Sequence, residues 1–291
     1  MIDIHTHLWP AELSPSYMAD YFTKKKAAGE EITMTLDEIL SSMEACGIDR
    51  SIVLALAFDA SISNRALKKQ HDYIRRLVAS SGGKLAAFCT VNPFEADALP
   101  LLKELIQNDL FKGLKLHPNI QCFYPDDERL FPLYAFLEEH SVPVLFHTGG
   151  IGLKGVRDCY GDPSRIDQIA CSFPGLPVIM GHAGRTDYRK TAEMLRKHPC
   201  VYADISTNFG RIPGKEYLVL KDLLCTVKAW CGTTQKLLLG SDYPFYSQKK
   251  TVAFIRQFLA LPEEHGFLEE EDIQQVLMQN ADRFCIKYHL F

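Results

Sequence analysis

The sequence of 291 residues contains no C-x-x-C pair, and its nine cysteines are scattered along the chain and odd in number. A disulfide framework is therefore not expected, and the thiols read as reduced side chains of a cytoplasmic protein. No basic segment followed by an apolar run opens the chain, and no apolar run reaches 18 residues. Neither a secretory leader nor a membrane span is expected. Positive charge is not in excess: the net charge is -4 and the pI near 6.2, so nothing draws the whole molecule to phosphate backbones or anionic membranes. Nucleic acid and membrane drop out as expected partners. No low-complexity linker or charge block divides the chain, and a composition of 47% hydrophobic and 23% charged residues is that of an ordinary globular protein. The length fits two average domains, but it also fits one α/β barrel of about 250 residues.

Short β-branched or apolar runs recur eight times: 1–7, 51–57, 85–93, 111–118, 143–150, 177–184, 201–207 and 237–245. Helical patterns alternate with them at 35–47, 64–80, 98–109, 128–140, 163–173, 186–198, 216–230 and 247–260. Strand then helix, eight times over, is the order of a (β/α)₈ TIM barrel, although a doubly wound open sheet gives a similar alternation. A single domain over 1–291 is expected, with a last helix at about 269–279 packing outside the barrel. The connection at about 8–34 has no clear core pattern and follows the first strand, as lids and binding loops often do.

The polar residues are more informative than the periodicity. Alternate residues of a strand share a face, so His5 and His7 should point together, with Ile2, Ile4 and Thr6 on the other side. The same counting puts Lys115 and His117 on the inner face of the fourth run, with Leu114 and Leu116 toward the helices. It puts His147, His182 and Asp242 at the ends of the fifth, sixth and eighth runs. Barrel enzymes place their sites at these carboxyl ends. A lone histidine is usually a hydrogen-bonded packing residue, but five of the ten here fall at strand ends. Neutral imidazole with carboxylate is a ligand set suited to Zn²⁺ and similar ions. The remaining five, His71, His140, His198, His265 and His289, lie in polar helical or terminal segments and are given no function.

His5-Thr6-His7 on the first strand, His147 on the fifth, His182 on the sixth and Gly240-Ser241-Asp242 on the eighth resemble the amidohydrolase superfamily over nearly the whole chain. The blocks GLKLHP, VLFHTGG, IMGHAG and LLGSDYP, followed by Asn280-Ala281, are similar to its amidohydrolase 2 branch. That branch includes lactone and amide hydrolases, a hydratase and non-oxidative decarboxylases such as amino-carboxymuconate-semialdehyde and γ-resorcylate decarboxylase. The resemblance implies one divalent metal, Zn²⁺ with Mn²⁺ as the alternative, held by His5, His7, His147 and Asp242. It makes His182 an acid or base beside the metal. In phosphotriesterase-like relatives a fourth-strand lysine is carbamylated and bridges two metals. Lys115 would then play that part, and His182 would bind the second ion.

His117, Lys154, Arg157, Arg185, Trp9, Tyr17 and Tyr21 are further candidates for binding a small anionic substrate. The expected chemistry is hydrolysis of a carboxylated lactone, amide or ester, since a divalent ion lowers the pKa of water from about 15.7 to about 7. Asp242 would carry the proton to the leaving group and His182 would stabilise the oxyanion. Decarboxylation of an aromatic or muconate-like acid would use the same residues. A TatD-type nuclease would be expected to have a glutamate in place of Lys115, and a non-catalytic scaffold would be expected to lack a ligand. A homodimer through the barrel helices is allowed.

Overall fold

The computed structural model describes residues 1–14, 18–27, 32–107 and 110–291. Eight strands form one parallel sheet in chain order. They are β1 (Ile2–Thr6), β2 (Arg50–Leu54), β3 (Leu85–Cys89), β4 (Phe111–Leu116), β5 (Val144–His147), β6 (Val178–Gly181), β7 (Val201–Asp204) and β8 (Leu237–Leu238). Closure, which periodicity left open, is decided at the seam between the last strand and the first. There Ile4 N donates to Leu239 O at 3.0 Å, Asp242 N to His5 O at 2.8 Å and His7 N to Tyr243 O at 2.6 Å. The fold is a (β/α)₈ barrel. Among the described residues no helix is long and apolar enough to cross a membrane.

The helices are α1 (Ala19–Ala27), α2 (Leu36–Glu44), α3 (Asn64–Ser80), α4 (Ala98–Gln107), α5 (Pro118–Gln121) and α6 (Phe131–Glu139). After them come α7 (Ile166–Ser172), α8 (Tyr188–Lys197), α9 (Leu218–Cys231), α10 (Gln248–Leu259), α11 (Glu270–Gln274) and α12 (Asn280–Lys287). Local chemistry sets their starts: Ser63 caps α3 by accepting from Ala66 N, and Ser247 caps α10 by accepting from Lys250 N. On α3 the buried Leu67, His71 and Ile74 recur at three and four residues, which turns one stripe toward the barrel.

Strand alternation divides the apolar core in two. Val53, Leu114, Leu116, Val144, Phe146, Val178 and Met180 face the helices. Ile52, Leu54, Ala86, Phe88, Leu145, Ile179 and Leu238 face inward and form a separate plug, together with Ile2 and Ile4. The inward position of Ile2 and Ile4 corrects the simple alternation expected for the first strand. The register steps from Asp3 opposite Ser51 to Thr6 opposite Val53, three residues against two, which is a β-bulge. Ile4 and His5, adjacent in sequence, are thereby both turned into the barrel. Asp3 holds the bulge, accepting from His5 N at 3.1 Å, Ser241 N at 3.0 Å and Gln248 Nε2 of α10 at 2.9 Å.

Two further expectations need correction. The long first connection carries structure, a 3-10 turn at Ala11–Leu13 and the helix α1, while Tyr17 lies outside the described residues. The last helix does not stop at 279. A π-helical turn at Gln275–Gln279 carries α11 into α12, whose Ala281, Phe284 and Cys285 close the amino-terminal end of the barrel against the inner plug. Asn280, where the sequence pattern breaks, fixes the junction by donating to Thr234 O at 3.0 Å and Leu237 O at 2.9 Å.

Candidate metal centre

Above the plug, the next inward layer is polar. His5 and His7 come from the bulged end of β1, and their Nε2 atoms lie 3.2 Å apart. Asp242 Oδ1 stands 3.3 Å from His7 Nε2 and 3.7 Å from His5 Nε2. The hydrogen bonds of the other ring nitrogens assign the tautomers. His7 Nδ1 faces Leu54 O at 2.9 Å, and a carbonyl only accepts, so Nδ1 carries the proton. His5 Nδ1 faces Asp204 Oδ2 at 2.8 Å and is protonated for the same reason. Two imidazole lone pairs and a carboxylate oxygen therefore converge with no hydrogen among them, an arrangement that a cation stabilises.

His182 and His147 complete the cluster. The His182 ring lies 4.6 Å from that of His5 and 4.5 Å from that of His147, centroid to centroid. A nitrogen of His182 lies within 4.8 Å of ligand atoms of His5 and Asp242. His182 Nδ1 is 2.7 Å from Ser206 Oγ, whose hydroxyl donates to Asp204, so the imidazole donates at Nδ1 and keeps a lone pair at Nε2. His147 Nε2 is buried with no hydrogen-bond partner among the described residues. The His147 ring stacks on His117 at 4.0 Å.

Burial keeps these imidazoles neutral: it brings His7 down to about 4 and holds His117, His147 and His182 well below the usual histidine range. Lys115 is buried on the inner face of β4, and burial lowers its ammonium to about 8 against the opposing pull of Asp204 and Asp242. Asp204 behaves in the opposite way. Burial disfavours its charge, but His5 and the hydrogen bonds from Ser206 and His182 N outweigh burial and hold it below the usual carboxylate range.

Asp204 and Ser206 escaped the sequence reading. The signal was present in VYADIST, where Tyr202, Asp204 and Ser206 alternate along one face of the seventh run. Gly240 shows how tightly they pack: a Cβ there would lie 2.9 Å from His5 Cβ and 3.1 Å from Asp204 Oδ1. Asp242 adopts φ 67, a left-handed conformation uncommon for a non-glycine residue, and it is this turn that brings its carboxylate back over β1.

The cluster opens into a cavity of about 410 Å³. His7, His147, His182 and Asp242 line it, with the cations Lys115, Arg185 and Arg211 and an apolar wall that includes Leu56, Phe58 and Phe245. His117 and Tyr21 also line the cavity, as the sequence suggested, and Arg211 is an addition. Trp9, Lys154 and Arg157 do not. Trp9 is fully buried, stacked on Phe245 at 5.7 Å, so it supports the wall from behind. Arg157 and Lys154 are exposed on the loop after β5, and the Arg157 guanidinium lies 5.8 Å from the Tyr160 ring. Of the histidines given no function, His71, His140 and His265 bond backbone groups and His198 bonds Asp167.

The amidohydrolase family model, Amidohydro_2, matches residues 2–284. The chain belongs to this family. This amidohydrolase is similar over its full length to several solved barrels. An uncharacterized TIM-barrel protein from Bordetella bronchiseptica shares 20% identity at a TM-score of 0.73, with 99% of this chain and 100% of that one covered. The 5-carboxyvanillate decarboxylase LigW from Sphingomonas paucimobilis shares 16% at 0.68, covering 100% and 99%. A dihydroxybenzoic acid decarboxylase from Polaromonas sp. JS666, solved with manganese and 2-nitroresorcinol, shares 15% at 0.69, covering 97% and 95%. At such identities the likeness establishes the barrel. No curated protein matches the amidohydrolase at a significant level.

Proposed function

We propose that this amidohydrolase is a metal-dependent hydrolase that uses water to open a small carboxylated lactone, amide or ester. One divalent ion, Zn²⁺ or Mn²⁺, is held by His5, His7, His147 and Asp242. The observation that carries the reading is the set of converging lone pairs: two Nε2 atoms 3.2 Å apart, Asp242 Oδ1 beside them and the unpartnered Nε2 of His147. These donors suit Zn²⁺ or Mn²⁺, and Asp204 orients the first of them through His5 Nδ1. When bound, the ion acts as a Lewis acid that acidifies water and polarises a substrate oxygen.

The protein's own groups do the rest. Asp242 accepts the proton of the attacking water and returns it to the leaving group. His182 donates at Nδ1 to Ser206 and so offers a lone pair at Nε2. It therefore acts first as a proton acceptor, and it becomes a donor to the developing oxyanion only after protonation. Lys115, Arg185 and Arg211 line the same cavity, which allows an anionic substituent to sit away from the ligand set. That separation favours hydrolysis, because a decarboxylase would bring the departing carboxylate to the metal. The apolar wall and the decarboxylases among the similar barrels support a second reading, non-oxidative decarboxylation of an aromatic acid. A carbamylated Lys115 bridging two ions, with His182 on the second, is the variant of the site that stoichiometry tests.

Elemental analysis should find about one divalent ion per chain, as a set of four protein ligands requires. Two ions would favour the carbamylated site, and a chain that takes up neither zinc nor manganese would end the proposal. With candidate substrates in H₂¹⁸O, the heavy isotope should enter a new carboxylate. Release of CO₂ with a new C–H bond and no such label would replace hydrolysis by decarboxylation.

A further inference from the structure

The segment that follows β6 is the most strained stretch of the described backbone. His182, Ala183, Gly184 and Arg185 are four successive residues with positive φ, at 63, 46, 74 and 52. Three of the four carry a Cβ, which makes this conformation costly, and such strain persists where the surroundings impose it. The surroundings here are the loop after β5. Gly149, at φ 86, runs so close that a Cβ on it would lie 2.5 Å from Gly184 O. The two loops are locked together, and Arg185 Nη1 crosses between them to donate to Gly150 O at 2.9 Å.

The lock leaves the rest of the guanidinium unused. Arg185 Nε is buried with no hydrogen-bond partner, and no carboxylate pairs with the side chain among the described residues. A buried donor without an acceptor is unfavourable, and arginine cannot escape by losing its proton. With Nη1 committed to Gly150, the free edge is Nε with Nη2, two parallel N–H groups that match the two oxygens of a carboxylate. Arg185 lines the same cavity as His147, His182 and Asp242. Of the other two cations there, Lys115 is fully buried and interacts with Asp204 and Asp242, and Arg211 is exposed at the surface.

We infer that Arg185 is the carboxylate anchor of this site, taking a substrate carboxylate side-on through Nε and Nη2 while Asp242 faces the bond to be broken. The substrate class is a small monocarboxylate or dicarboxylate with an apolar body lying against Leu56, Phe58 and Phe245. The inference rests on the reading of this cavity as the active site. It adds where the carboxylate sits and which group selects for it.

Calorimetric titration tests it with benzoate as the probe and benzamide as its neutral counterpart, on manganese-loaded and on chelator-treated protein. Benzoate should bind both forms and benzamide neither. Arg185→Gln should weaken benzoate about 10- to 100-fold, the range for a hydrogen bond to a charged group. Arg185→Lys, which keeps the charge and loses the fork, should fall between. If the Gln variant does not fold by circular dichroism, the Lys variant decides. The anchor is overturned if benzoate at millimolar concentration fails to bind the wild type, if the variants bind it as the wild type does, or if chelation abolishes binding. The chelated arm reads the anchor without the metal, so its failure is separate from a failure of the metal reading.

Discussion

The two ends of the barrel interior are built by the same strands and differ completely in chemistry. On β5, Leu145 belongs to the plug and His147 to the mouth; on β6 the pair is Ile179 with Gly181, and at β8 it is Leu238 with Gly240 just beyond the strand. Two residues along a strand, about 7 Å, separate hydrocarbon from the ionisable cluster. At the base, Ile4, Phe88, Leu145 and Phe284 exclude water and supply stability. At the mouth, His5, His7, Lys115, His147, His182, Asp204 and Asp242 are buried together, an arrangement unfavourable to folding on its own account and useful only for chemistry. The base supports the mouth: the bulge that turns His5 inward stands directly on Ile4.

The largest effect should come from the mouth. Asp242→Asn keeps the side chain's shape but loses the proposed proton acceptor, so turnover should drop about 10³-fold, with a thermal midpoint within a few degrees of the wild type. Near-normal turnover would remove Asp242 from the chemistry and break the contrast. The base should show the reverse pattern. Phe284→Ala, at a site only 2% exposed, should cost about 3 to 4 kcal/mol in denaturant unfolding and leave turnover per folded molecule nearly unchanged. A loss of turnover without a loss of stability would show that α12 is coupled to the site.

Asp204 sharpens the comparison, because it touches His5 and Ser206 without lining the cavity. Asp204→Asn should weaken metal affinity about 10- to 100-fold, read by competition with a chelator, and leave the fold intact. His182→Asn should lower turnover with metal content nearly unchanged if the site holds one ion, and loss of a second ion would place His182 among its ligands.

The smallest effect is one of pH on the metal-free protein. His7 is held down to about 4 in the fold, against an ordinary 6.5, so the unfolded chain takes up the proton first as pH falls. Its contribution to stability is present above pH 6.5 and is lost between there and about 4. His7→Phe should therefore flatten the acid limb of stability against pH by about 1 kcal/mol per unit. Phe284→Ala should shift the whole curve down without changing that slope, because the phenyl ring it removes does not titrate.

The order of elements was legible because strand and helix periods differ and each run is bounded by polar residues. Seven of the eight strands fall inside the runs read from the sequence, and β2 begins one residue earlier, at Arg50. The ends were less legible, since the eighth run extends to 245 while β8 ends at Leu238 and the chain then turns through Gly240, Ser241 and Asp242. Periodicity does not register a turn that keeps its apolar neighbours. Most of the residues now gathered at the mouth were visible because histidine, lysine and aspartate at strand ends are conspicuous. Asp204 was not, because a single carboxylate in a strand reads as a solvated residue until its partners are known.

The sequence by itself determined the alternation of elements, the inward face of most strands and the residue types available for chemistry, since each follows from local period and side-chain character. The tertiary structure alone decided closure of the barrel, the bulge at Ile4 and His5, the protonated nitrogen of His5, His7 and His182 and the free edge of Arg185. Each of these depends on a partner far away in the chain: Leu239 for Ile4, Asp204 for His5, Leu54 for His7 and Gly150 for Arg185. Local pattern carries no information about which distant group will satisfy a hydrogen bond, and the geometry of this site is set by those bonds.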